Sequence, residues 1–173
     1  MQDPLDFGTL RLATRDEIVR TLGIARQRHP DDRIAGYALV TDDAVATISY
    51  VFCLQSQLAG DDDPLRFDAG SWQLGGEAGS FASTWQWLAI RKAGERQGDR
   101  RQNWDRSFDA LVQALHEVKA AGLVDDRVFL SVHNHEACAH MQWKEHDAIA
   151  RLNAPHLLQC HPRFVDALLN GLE

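Results

Sequence analysis

Two neighbouring runs of apolar residues, the second with strict alternation, constrain the fold most strongly. The first run spans residues 34–40 and ends at the turn-forming Thr41-Asp42-Asp43. In the second run, apolar side chains recur at every second position, at Ala46, Ile48, Tyr50, Phe52 and Leu54. Such alternation places the apolar side chains on one face of a strand. The two runs therefore predict an antiparallel hairpin with one buried face.

Helical periodicity flanks this hairpin on both sides. Thr14 and Glu17 have the spacing of a capping box, in which the two side chains satisfy free backbone donors of a first turn. The box predicts a helix that runs to about His29, where Pro30 stops it. A second helix is predicted from Trp104 to a cap at Gly122, because apolar residues repeat there at three- and four-residue steps.

The remaining segments complete a predicted α+β fold. Two further extended segments and a last helix are predicted, between Leu65 and Leu74, at residues 128–132 and after His161-Pro162. Because most strands precede the long helix as one group, an antiparallel sheet with helices packed mainly on one face is favoured over a doubly wound parallel sheet. A chain of 173 residues is expected to form a single domain, residues 1–173.

Charge and cysteine content argue against several classes of partner. The formal net charge is −7, which repels nucleic-acid phosphates and favours basic partners. No apolar run approaches the roughly 18 residues of a membrane helix. The three cysteines, Cys53, Cys138 and Cys160, are odd in number and widely separated, which fits no disulfide framework. We expect a cytoplasmic protein without nucleic-acid or membrane contacts, with Cys53 as a small buried hydrophobe.

A histidine-rich segment, residues 131–140, is the strongest candidate for chemistry. Imidazole and carboxylate groups are usual zinc ligands, and His133 and His135 share a face if the segment is a strand. His140 lies five residues beyond His135, a spacing that does not place both on one helix face. The spacing favours a polar strand-end loop. The alternative is a metal-dependent hydrolase with these three histidines as ligands and Glu136 as general base.

Aspartate-rich turns and the lack of a recognisable catalytic motif favour binding over catalysis. The glycines of residues 75–79 match neither a dinucleotide fingerprint nor a phosphate loop. Three consecutive aspartates exceed what turn chemistry needs and can steer a basic protein. Trp85 and Trp87 cannot share one helix face, so one of them is expected to be exposed at an interface. The candidate partner-binding residues are Asp42, Asp43, Asp61, Asp62, Asp63 and Trp72, and no catalytic residue or cofactor is expected.

Several segments together resemble a bacterial protein family. They are His29-Pro30-Asp31-Asp32-Arg33-Ile34, Tyr37-Ala38-Leu39-Val40-Thr41-Asp42-Asp43, the amphipathic stretch 108–122 and Arg151-Leu152-Asn153-Ala154-Pro155. In these segments the chain resembles the domain of unknown function 4303 family. Where members carry a tryptophan-serine-proline-alanine-glutamate-tryptophan segment, this chain keeps only Trp72. The family is similar in size and acidity to small immunity proteins, so the resemblance implies an immunity-type inhibitor of a bacterial toxin.

Overall fold

Five α-helices, four strands and three short 3-10 turns make up the described part of the chain. The computed structural model describes residues 6–77, 79–136 and 138–162. In chain order the regular elements are α1 Phe7–Arg28, β1 Ile34–Thr41, β2 Ile48–Leu54, β3 Leu74–Gly75, α2 Ala82–Gly94, α3 Arg100–Ala120, β4 Phe129–Asn134, α4 Ala139–Leu152 and α5 Pro155–Cys160. The 3-10 turns lie at Gln55–Gln57, Pro64–Phe67 and Ala69–Ser71.

The strands form one mixed sheet in the order β3-β2-β1-β4. Strands β1 and β2 pair antiparallel, with Tyr37 opposite Phe52, which confirms the predicted hairpin; the prediction of one buried face is wrong, because both faces are buried. Strand β4 pairs parallel to β1, with Tyr37 beside Leu130. A parallel neighbour needs a long crossover, and here α2 and α3 lie between β2 and β4 in the chain. The predicted α+β class and a mostly antiparallel sheet are confirmed, and β4 is the parallel exception.

The two faces of the sheet bury two apolar clusters. Tyr37, Leu39 and Tyr50 belong to the larger cluster, to which α1 and α3 also contribute side chains. Ala38 and Cys53 point to the opposite face, which is covered by the 3-10 turns and α5. Cys53 is 1% exposed, as predicted for a small buried hydrophobe. None of the described helices is long and apolar enough to cross a membrane.

The first helix begins earlier than the predicted capping box. Asp6 caps it, because its carboxylate accepts a hydrogen bond from the Gly8 backbone N–H at 2.9 Å. Thr14 is buried in mid-helix, and Glu17 accepts from the Phe81 N–H rather than from the first turn. The capping-box assignment is therefore wrong, although the helix ends beside His29 as predicted.

The segment between Leu65 and Leu74 is mostly not extended. Asp63 caps a 3-10 turn that starts with Pro64, and only Leu74–Gly75 pairs with β2. Helices α2 and α4 were not predicted, because α2 is apolar around most of its circumference and the buried side of α4 includes the charged Glu145. The last helix predicted after His161-Pro162 falls largely outside the described residues.

Candidate functional site

The two acidic loops lie at opposite ends of the β1–β2 hairpin. The turn with Asp42 and Asp43 follows β1, whereas Asp61, Asp62 and Asp63 follow the far end of β2. Eight residues of β1 at about 3.3 Å each separate these ends by about 25 Å. The two loops therefore do not form one continuous acidic cluster, and each is described separately.

The hairpin turn is tied to the loop between β4 and α4. The Asp43 backbone N–H donates to Glu136 Oε2 at 3.3 Å, and Asp43 Oδ1 accepts from the Cys138 N–H at 3.4 Å. Asp42 Oδ1 accepts from the Ala46 N–H at 2.7 Å, which holds the turn itself. These bonds place the carboxylates of Asp43 and Glu136 close together. Within residues 6–77, 79–136 and 138–162, neither carboxylate forms an ion pair.

The helix that follows this loop carries an exposed tryptophan. Trp143 is on α4 and is 63% exposed. It follows Cys138 by five residues, a rise of about 7.5 Å along a helix. We call Asp42, Asp43, Glu136 and Trp143 the turn-end surface. Glu136 and Trp143 were not predicted as binding residues, and the available signal was that Trp143 lies off the apolar stripe of Met141, Ala148 and Leu152.

Trp72 is not available to a partner. Its side chain is 7% exposed, packs edge-on against Phe129 and donates from Nε1 to the Leu65 carbonyl at 2.7 Å. The prediction of Trp72 as a partner-binding residue is therefore wrong. The sequence also predicted that either Trp85 or Trp87 is exposed. Trp85 is 42% exposed and Trp87 packs against the ring of Phe7, so one of the two is exposed as predicted.

The three carboxylates of the triple-aspartate loop have different contacts. Asp63 accepts from the backbone N–H groups of Ala59 and Leu65, and these bonds hold the pKa of its carboxyl below the usual value. Asp61 pairs with the buried Arg66 at 3.1 Å. Asp62 is exposed. The loop therefore has less free negative charge than its sequence implies.

The three histidines of the metal hypothesis do not converge on one point. His133 Nδ1 lies 3.0 Å from Glu145 Oε1, His135 Nδ1 lies 2.8 Å from the Thr41 carbonyl, and His140 Nε2 lies 2.8 Å from Asp105 Oδ1. They separate because β4 ends at Asn134 and His140 is already inside α4.

No group of three His, Cys, Asp or Glu side chains in the described part of the chain is arranged to hold a metal ion. The alternative hypothesis of a metal site formed by His133, His135 and His140 is thus contradicted in the described part of the chain. Glu145, which sequence reasoning overlooked, is a buried carboxylate that joins α4 to the end of β4.

Comparison of the chain with protein-family models, curated proteins and solved structures finds no match. The resemblance to the domain of unknown function 4303 family therefore stays a prediction. At the turn end, the carboxylates of Asp43 and Glu136 accept hydrogen bonds from backbone N–H groups, and helix α4 carries the exposed Trp143.

Proposed function

We propose that this chain is a non-enzymatic cytoplasmic binding protein, an immunity-type inhibitor that contacts a basic bacterial toxin through the turn-end surface. The observation that carries the proposal is the pairing of Asp43 and Glu136, which have no cation partner among the described residues; the adjoining helix α4 carries the 63% exposed Trp143. The net charge of −7 acts in the same direction, because it attracts a basic protein from a distance.

The two kinds of side chain contribute differently to binding. Carboxylates at an interface mainly increase the association rate and select a partner of opposite charge. A tryptophan that becomes buried in a partner's pocket is among the side chains that most often dominate binding energy. The backbone bonds of Asp42, Asp43 and Glu136 hold the surface in place before binding, which lowers the entropy cost of the complex.

The contact is placed at the turn end rather than at the triple-aspartate loop for a physical reason. Asp63 stabilises its own loop and Asp61 neutralises Arg66, so only Asp62 offers a carboxylate without such a role there. The turn end has two adjacent carboxylates and an apolar anchor. A partner with a basic rim around an apolar pocket fits this arrangement.

Co-expression with the product of the adjacent gene tests the proposal. We expect growth rescue and a one-to-one complex by calorimetry. The double variant Asp43→Asn with Glu136→Gln removes charge but keeps both hydrogen-bond acceptors, and we expect it to slow association at least tenfold. Trp143→Ala should increase the dissociation rate at least tenfold.

Matched controls separate the two ends of the hairpin. Asp62→Asn removes one exposed carboxylate at the far end, and Trp85→Ala removes another exposed tryptophan. We expect both to change the dissociation constant less than twofold. Absence of rescue and of a complex would refute the proposed function, and an effect of Asp62→Asn as large as that of the double variant would refute the turn-end location.

A further inference from the structure

A cleft of about 650 Å³ opens at the end of the sheet opposite the turn-end surface. It lies where β1 begins, where β2 ends and just before β4, beside α5. Four arginines line it, Arg26, Arg33, Arg66 and Arg127, and we call it the arginine cleft. In a chain with a net charge of −7, this local concentration of guanidinium groups is contrary to the overall composition.

Arg66 is the buried member of the set. Its residue exposure is 3%, whereas the other three arginines are exposed. The Nη atoms of Arg66 donate to Gln55 Oε1 and to the Asp61 carbonyl and carboxylate, at 2.8 to 3.1 Å. Its Nε is buried and has no partner among the described residues. A buried N–H donor without a hydrogen-bond partner destabilises the folded state, so the position of the Arg66 Nε carries a cost in folding free energy.

The carboxylates that line the cleft do not satisfy the other arginines. Asp32 accepts from the Ser56 hydroxyl and from the backbone N–H groups of Ser56 and Arg33. Asp125 accepts from the Arg127 backbone N–H at 2.7 Å. The guanidinium groups of Arg33 and Arg127 form no hydrogen bond or ion pair within the described ranges. The cleft therefore has more N–H donors than it has acceptors.

We propose that the arginine cleft binds a small phosphorylated molecule. Each guanidinium group presents five N–H donors in a planar fork that matches phosphate oxygens. Four such groups and three carboxylates line the cleft, so the lining has a net positive charge that favours an anion. The volume lies in the range of small-molecule sites, and Ile34, Val128 and Leu157 supply an apolar wall.

Among the described residues, the His156 imidazole is the one aromatic side chain that lines the cleft, so the proposal assigns recognition to the phosphoryl group rather than to stacking of a base. The arginine cleft is separate from the surface of the proposed function, because it is at the other end of the sheet from the turn-end surface and has charges of the opposite sign.

Calorimetric titration with inorganic pyrophosphate at constant ionic strength tests the proposal. We expect saturable one-to-one binding to the full chain. The double variant Arg33→Gln with Arg127→Gln should weaken binding at least tenfold, since both side chains are exposed and lack partners in the described structure. Arg101→Gln is the matched control, because Arg101 is exposed on α3 and does not line the cleft, and it should change affinity less than twofold.

Three results would overturn the assignment. They are no binding of pyrophosphate at millimolar concentration, equal weakening by Arg101→Gln, and citrate binding as tight as pyrophosphate binding, which would show a general polyanion effect. The Asp43→Asn with Glu136→Gln variant should bind pyrophosphate unchanged. A failure of toxin binding therefore leaves the cleft standing, and a failure of pyrophosphate binding leaves the turn-end surface standing.

Discussion

Asn153, the residue that follows α4, satisfies the backbone of β4 at Leu130. Its Oδ1 accepts from the Leu130 N–H at 2.8 Å, and its Nδ2 donates to the Leu130 carbonyl at 2.7 Å and to the Ile149 carbonyl at 2.9 Å. Strand β4 is the last strand on its side of the described sheet, so these Leu130 groups have no neighbouring strand there. The amide of Asn153 takes the place of a paired strand at this residue.

Replacement of Asn153 by alanine removes all three side-chain hydrogen bonds. Leu130 is 0% exposed, and water cannot readily replace the lost partners. Each buried backbone group left without a partner costs about 1–3 kcal/mol, so we expect the free energy of unfolding to fall by about 2–6 kcal/mol. For a chain of this size each kcal/mol lowers Tm by about 2–4 °C, which predicts a decrease of at least about 4 °C.

Urea unfolding followed by tryptophan fluorescence, together with thermal unfolding by circular dichroism, measures this change. Gln102→Ala on the exposed side of α3 is the control for loss of a side-chain amide, and we expect it to alter stability by less than about 0.5 kcal/mol. An Asn153→Ala variant within about 0.5 kcal/mol of the parent would refute the role assigned to this side chain.

Two further predictions concern the second apolar cluster and the cysteines. A Cβ at Gly36 would lie 2.4 Å from the Trp72 ring, so Gly36→Ala should lower the unfolding free energy by about 1–3 kcal/mol in a urea titration, and an unchanged midpoint would contradict this packing. Burial raises the pKa of the Cys53 thiol to about 11, so at pH 8 it is protonated, and iodoacetamide should alkylate the exposed Cys138 and Cys160 while Cys53 reacts only after unfolding. Mass spectrometry of the folded protein checks this, and labelling of Cys53 at the rate of the other two would contradict it.

The parts of the fold that were predicted correctly are those with a local repeat. The alternation from Ala46 to Leu54 and the three- and four-residue steps after Trp104 predicted a strand and a helix, and both elements formed. The spacing of Thr14 and Glu17 gave a wrong helix start, because a capping-box spacing also occurs inside a helix and the residue that caps this helix is Asp6. Asn153 lies in one of the segments that carry the family resemblance, but its contact with Leu130 is not visible in that segment.

The candidate sites were harder to predict because they depend on which ends of the strands meet. Glu136 reaches the hairpin turn only because β4 runs parallel to β1, so that both strands end on the same side. His133, His135 and His140 are close in sequence but are separated in space, because the chain changes from strand β4 to helix α4 between them.

The sequence by itself determined the hairpin and the long amphipathic helix, because both depend on side-chain periodicity over a few turns or strand positions, and the order of these elements indicated the α+β class. The burial of Cys53 followed from its apolar strand neighbours. Only the tertiary structure decided that Glu136 reaches the hairpin turn and that Arg26, Arg33, Arg66 and Arg127 line one cleft. These arginines are far apart in the chain. Their meeting follows from strand order and direction, which packing of the whole core selects and no local pattern encodes.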